Sequence, residues 1–198
     1  QLRAGIAALM KTNKIAVYSG TGTIVDRCHV SVRPESGEPV LLETDHILIA
    51  TGSVPACPPI PGADLPGVVT SDGLLDKQDM FGHLIIIGGG VIGMEFASIY
   101  SSLGHPVTVI EALDRILPGM DKEIAQNLKM ILKKRGTDIH TGARVEEILR
   151  AEDGRGLACR FVEKDKAWEV TADGILIATG RRAYTGGLIS EESSQDIK

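Results

Sequence analysis

Three glycines, Gly88, Gly90 and Gly93, stand in the spacing G-x-G-x-x-G, with Gly89, Val91 and Ile92 filling the gaps. They follow a short apolar run, Leu84 to Ile87, and open a helix-length segment, Val91 to Leu103, that stops at Gly104. A second apolar run, Val107 to Ile110, ends in the carboxylate of Glu111. Strand, tight turn, helix, strand and acid, in that order, is the context in which a glycine triplet binds a dinucleotide. Each residue type has a mechanical reason. Gly88 permits the tight turn out of the strand. Gly90 lets backbone N–H groups approach a pyrophosphate, which the positive end of the helix dipole also favours. Gly93 and Ala97 present a small-residue face on which the helix can approach the sheet. Glu111 is placed to accept hydrogen bonds from a ribose diol.

The same acid bears on cofactor choice. At about 4 Å from a 2′-phosphate, a carboxylate repels each unit of charge by about 4 kcal/mol at an effective dielectric near 20. Ala112 and Leu113 offer no cation in its place, and Arg115 is the only one nearby. The stretch is therefore expected to take NAD and to discriminate against NADP. Glu95 is read as lying in the first turn of the helix, where the dipole alone would account for an anion.

The other chemistry-bearing residues form no second constellation. The histidines (His29, His46, His83, His105 and His140) stand singly, at spacings that suit no metal, and read as structural. Cys28, Cys57 and Cys159 match neither a zinc site nor a close redox pair, and so sparse a set fits a reducing, cytoplasmic setting. Lys133, Lys134 and Arg135 are explained by the end of a helix whose dipole favours cations.

Composition narrows the class. Hydrophobic residues make up 43% of the 198, charged residues 24% and aromatic residues only 4%, a globular balance. A net charge of −5 and few aromatics argue against nucleic acid as a partner. No apolar run approaches the roughly 20 residues that span a bilayer, so no membrane partner is expected.

The elements that must position the glycine turn can be read in order. Residues 1–13 form an amphipathic helix with Leu2, Ile6 and Leu9 at helical spacing, and Lys14 to Ser19 alternates like a strand. Short strands are expected at Thr23 to Asp26, His29 to Arg33 and Val40 to Glu43. Asp45 to Ala50 reads as a buried strand of parallel type, followed by Thr51-Gly52-Ser53 and a proline-rich crossing, Pro55 to Pro66. Ser71-Asp72 caps a short helix. Past Glu111, Asp121 is the N-cap of a helix with Ile124, Leu128, Ile131 and Leu132 on one face and Gly136 beyond its end. A strand at Thr137 to Thr141, a three-strand meander between Arg144 and Thr171, and a last strand at Asp173 to Ala178 complete the reading.

Asp45 to Ser53, DHILIATGS, recurs as Asp173 to Arg181, DGILIATGR. Helix, strand, meander and apolar strand precede each copy. Two related dinucleotide-binding units are expected, the second carrying its own βαβ start at Leu84. The first has no such start, and the chain opens on Gln1, so its opening strand, glycine turn and helix are expected to lie upstream.

These motifs, with GIAALMKTNKIAVYSGTGTI, ILIATGSVPACPPIPG and LIIIGGGVIGMEFASIYSSLGHPVTVIEALDRILPGMD, resemble the flavin- and pyridine-nucleotide-dependent disulfide oxidoreductases almost end to end. The resemblance implies an α/β fold: a Rossmann-like NAD-binding domain, with a parallel sheet and an antiparallel meander, flanked by parts of a related FAD-binding domain. It divides the chain into a partial FAD domain and linker at 1–81, an NAD domain at 82–171 and a return into the FAD domain at 172–198. It places the NAD pyrophosphate on Gly88 to Gly93, Glu95 by the nicotinamide and flavin, and Glu111 on the adenosine ribose. Val145 falls against the adenine and Gly180 near the nicotinamide ribose. Gly22, Thr51, Gly52 and Ser53 match positions that contact FAD. A lipoamide-type substrate and a homodimeric parent are implied as well. The resemblance leaves the FAD glycine turn, the Cys-x-x-x-x-Cys pair and the C-terminal interface domain outside this sequence.

Overall fold

The computed structural model describes residues 2–152 and 154–190. Contacts among the described residues divide them into two units: residues 2–52 with 183–190, and Ser53–Arg182.

In the first unit, α1 (Leu2–Thr12) forms as its leucine spacing predicts but buries none of its residues. β1 (Thr21–Ile24), β2 (His29–Arg33) and β3 (Val40–Glu43) make an antiparallel meander. The turn into β2 is held by Asp26, whose carboxylate accepts from the Cys28 N–H and the His29 ring; these bonds hold its pKa below the ordinary carboxylate value. Two expected strands do not form. Lys14 to Ser19 and Asp45 to Ala50 pair with no described strand, and Leu48 is 91% exposed. Period and hydrophobicity favour a strand only where a neighbour supplies the ladder, and none of the described residues does.

The second unit is built in chain order from β4 (Ser53–Pro55), β5 (Val68–Thr70), α2 (Ser71–Leu75), β6 (Leu84–Ile87), α3 (Val91–Ser102) and β7 (Val107–Glu111). It continues with α4 (Lys122–Lys134), β8 (Asp138–Thr141), β9 (Ala143–Arg150), β10 (Leu157–Glu163), β11 (Lys166–Ala172), β12 (Gly174–Ile177) and the first two residues of β13 (Arg181–Ala183). The main sheet is parallel, in the order β5-β12-β6-β7-β8; β9, β10 and β11 form the antiparallel meander, and β4 pairs with β13. The fold is the expected α/β architecture, a Rossmann-type sheet with an added meander.

Alternation explains the layers. Leu84 and Ile86 of β6, with Val107, Val109 and Leu176, face Met94, Phe96, Ala97 and Tyr100 of α3 and Leu132 of α4. Ile85 and Ile87, with Ile110, Ile175 and Ile177, face Ile148, Leu157, Cys159 and Phe161 of the meander. Both faces of the sheet are covered at its centre, which is why β6 and β12 read as unbroken apolar runs. Burial also pushes the Cys159 thiol up to about 12, so it serves as a small core hydrophobe.

Asp121 caps α4 as expected, accepting from the Glu123 and Ile124 N–H groups, and Gly136 takes the left-handed conformation (φ +88°) past its end. Two helix expectations need correction. α2 starts at Ser71 itself, with Thr70 as its N-cap and no side-chain cap bond. On α4 only Leu132 of the four residues expected on one face is fully buried; Leu128 packs partly against the core, and Ile124 and Ile131 stay exposed.

Candidate functional site

β7 and β8 lie on one side of β6, and β12 and β5 on the other. The chain therefore reverses its lateral direction at β6, and the crevice past the C-terminal ends of β6 and β12 is the topological switch point where open α/β sheets bind ligands. The glycine turn leaves β6 at that point. Ala178, Thr179 and Gly180 leave β12 opposite it.

The turn is set by close approaches. Gly88 has φ +112°, and a side chain there would run into the Ala178 carbonyl. One at Gly93 would run into the Gly88 carbonyl, so the third glycine seats α3 against the turn. Gly90 is different: a Cβ added there would meet nothing within 4 Å. Gly90 is also the N-cap of α3, with φ −73° and no side-chain cap bond. The N-terminus of α3 thus carries no side-chain cap, whereas that of α4 is capped by Asp121.

Glu111, at the end of β7, is 8% exposed. Its Oε2 accepts from the Gly89 N–H and its Oε1 from the Leu113 N–H at 2.7 Å. The carboxylate therefore ties the glycine turn to the next loop, a structural task that its position in the sequence does not announce. Each oxygen keeps a further lone pair for a ligand hydroxyl. That loop folds back over the turn, with the Leu117 N–H on the Gly89 carbonyl at 2.8 Å and Leu117 itself at φ +48°. A non-glycine residue in that region is uncommon and held by its surroundings. Arg115 is turned aside, its Nη2 donating to the Pro118 carbonyl at 2.8 Å.

Two cavities adjoin here. One of about 290 Å³ is lined by Gly88, Gly90, Val91, Ile92, Glu111, Leu113, Pro118, Ala178, Thr179 and Gly180. The other, of about 410 Å³, shares Gly88, Glu111, Leu113 and Thr179 and adds Pro58, Ile60, Ile87, Ile110, Ala143, Arg144 and Val145 among its walls. Together they form a cleft with the glycine turn and Glu111 at its middle. The structure so brings together Gly88, Gly90, Val91, Ile92, Glu111, Val145 and Gly180, with Gly89 and Gly93 behind the wall. The walls supplied by Pro58, Ile60, Pro118 and Thr179 escaped the sequence reading; only the Ala-Thr-Gly repeat pointed toward the last.

Glu95 is not among the lining residues. It is the fifth residue of α3, in the second turn and exposed, so the first-turn reading is corrected. The dipole argument loses its force there, since the field fades beyond the first turn. Of the remaining positions, Gly22 sits in β1 opposite Val32. Thr51 donates its hydroxyl to the Tyr184 carbonyl at 2.6 Å, and Gly52 has φ +78°. Ser53 belongs to the second unit, where its hydroxyl accepts from Arg181 Nε at 2.8 Å. Among the described residues no group of three or more His, Cys, Asp or Glu side chains is placed to hold a metal ion, and no helix is long and apolar enough to cross a membrane.

Comparison with known proteins shows the family and the fold. The family model described as pyridine nucleotide-disulphide oxidoreductase matches residues 1–197. Dihydrolipoyl dehydrogenase 3 of Pseudomonas putida is 39% identical over 189 residues, covering 94% of this chain and 40% of that protein. Dihydrolipoamide dehydrogenase of Chaetomium thermophilum is also 39% identical, over 190 residues, covering 94% of this chain and 37% of that protein. Among solved structures, LpdA of Mycobacterium tuberculosis superposes with a TM-score of 0.78 at 29% identity, over 93% of this chain and 40% of that one. The HOCl-induced flavoprotein disulfide reductase RclA of Escherichia coli gives 0.72 at 33% identity, over 91% and 40%. The chain spans about two-fifths of the length of these relatives. It belongs to the pyridine nucleotide-disulphide oxidoreductase family.

Proposed function

We propose that this chain holds NAD(H) across the switch-point cleft, as the NAD portion of a flavin-dependent disulfide oxidoreductase of the dihydrolipoamide dehydrogenase type. The observation that carries the reading is the uncapped N-terminus of α3 behind the open space at Gly90, with a buried carboxylate one strand away. The pyrophosphate would rest on the N–H groups of residues 88–93. Glu111 would take the adenosine ribose diol with its free lone pairs, Val145 would face the adenine, and Gly180 would lie at the nicotinamide ribose. With NAD bound, the nicotinamide ring supplies the hydride chemistry; this chain's residues bind and orient it.

In the proposed whole protein, residues 82–171 are the NAD domain, and 1–81 and 172–198 belong to the FAD domain. Gly22, Thr51, Gly52 and Ser53 are the positions proposed to meet FAD, and Glu95 the carboxylate proposed to stand toward the flavin. Lipoamide-type dithiols are the proposed substrate, a homodimer the assembly and the cytoplasm the location. These 198 residues hold no Cys-x-x-x-x-Cys pair, so the chain by itself is expected to bind NADH without turning over dihydrolipoamide. Mercuric reductase, transhydrogenase and NADH oxidase are alternatives within the same chemistry.

Titration of the purified chain with NADH, followed by nicotinamide fluorescence, tests this directly. Saturable binding with one NADH per chain is expected; no binding at millimolar NADH would contradict the reading.

A further inference from the structure

The wall facing the glycine turn is the segment just past β12. Ala178 is tied to the sheet by its N–H on the Ile87 carbonyl at 2.8 Å. Gly180 then has φ +137°, and a Cβ there would meet nothing within 4 Å, so its side-chain side is open. It is held by what flanks it. The Ala56 N–H donates to the Gly180 carbonyl at 2.9 Å, and the Thr179 hydroxyl donates to the Ala56 carbonyl at 3.2 Å. The strongest tie comes from the next residue. Arg181 donates Nε to the Ser53 hydroxyl at 2.8 Å and Nη2 to the Ser53 carbonyl at 2.6 Å, and its Nη1 lies 3.6 Å from Asp72 Oδ1. The Asp72 pair is exposed and long, so it contributes little; the two bonds to Ser53 carry the anchor.

Ser53 and Arg181 are the same position in the two copies of the repeat, 128 residues apart. One arginine fork on one serine joins them.

We propose that Arg181 is a positioning residue for the nicotinamide half of the site. By fixing the crossing to β4 it holds Thr179 and Gly180 in the shape that receives the nicotinamide ribose. The proposal rests on the NAD reading above. It touches only one end of the cofactor, since the adenosine end is formed by Glu111 and Val145, on other strands.

The test compares NADH with AMP, which carries the adenosine half alone, on the wild-type chain and on Arg181→Ala, Arg181→Lys and Ser53→Ala. Arg181→Ala is expected to weaken NADH about tenfold, the loss of one to two hydrogen bonds' worth of fixed geometry, and to leave AMP unchanged. Arg181→Lys, which cannot reproduce the fork, should recover only part of the loss, and Ser53→Ala should lose a few-fold for NADH alone. NADH affinity unchanged in Arg181→Ala and Ser53→Ala would overturn the proposal. So would parallel losses for NADH and AMP, which mark a general structural role. A wild-type chain that binds neither ligand would overturn the NAD reading itself and this proposal with it.

Discussion

At the scale of single residues, Glu111 does two things with one carboxylate. Its bonds to the Gly89 and Leu113 N–H groups brace the turn, and its remaining lone pairs are free for a ribose. An alanine there would leave two N–H groups without their partner, at a cost of about 1–3 kcal/mol each, so lost cofactor affinity would be mixed with lost structure. Glutamine keeps one acceptor and is the cleaner probe. His83 allows a prediction of another kind. Burial pushes its pKa below the ordinary 6.5, with Asp173 opposing in part, and its Nε2 lies 3.1 Å from the Thr108 hydroxyl. A histidine whose folded pKa is lowered takes up its proton more readily when unfolded. Its contribution is therefore complete above pH 6.5 and is lost as the pH falls toward the folded pKa. Thermal melts between pH 7.5 and about 5.5 should show a shallower loss of stability in His83→Gln than in the wild-type chain. Identical slopes would show that His83 does not contribute to the pH dependence of stability.

At the scale of elements, the three glycines of one motif have different physical jobs and should fail differently. Gly93→Ala drives a methyl into the Gly88 carbonyl and is expected to cost about 3 kcal/mol or more of stability. Gly90→Ala meets no protein atom within 4 Å. It should melt within a few degrees of the wild-type chain yet bind NADH at least tenfold more weakly, because its methyl stands where the pyrophosphate would. Calorimetry and the NADH titration separate the two; a Gly90→Ala chain that binds NADH normally would contradict the placement. The motif was legible in the sequence because local rules govern it: apolar runs, glycine spacing, an N-cap at Asp121 and a C′ glycine at Gly136. What escaped were features that depend on distant partners. DHILIA and DGILIA are nearly the same run, yet the second is a fully buried β12 between β5 and β6 while the first pairs with no described strand. The fold-back of the loop carrying Leu117 likewise has no local signature, since it is decided by the Gly89 carbonyl it meets.

At the scale of the whole molecule, the order β5-β12-β6-β7-β8 turns a local motif into a site. It sets the end of β12 beside the glycine turn, and only then do Thr179 and Gly180 become walls of the cleft. Neither the repeat nor the glycine spacing states that order. Family membership agrees with it, and the share of each relative that the chain covers, about two-fifths, leaves the disulfide chemistry as a proposal about a larger protein. The proposal that can be tested on this chain alone is narrower: that the cleft holds NAD, and that Glu111 chooses it over NADP. Competitive fluorescence titration of the wild-type chain and Glu111→Gln with NADH and NADPH measures this most directly. The wild-type chain should bind NADH at least tenfold more tightly than NADPH, less than the roughly 4 kcal/mol of bare repulsion because solvent and counterions screen it. Glu111→Gln should narrow that gap mainly by gaining NADPH affinity; equal affinities for the two cofactors in the wild-type chain would contradict the account.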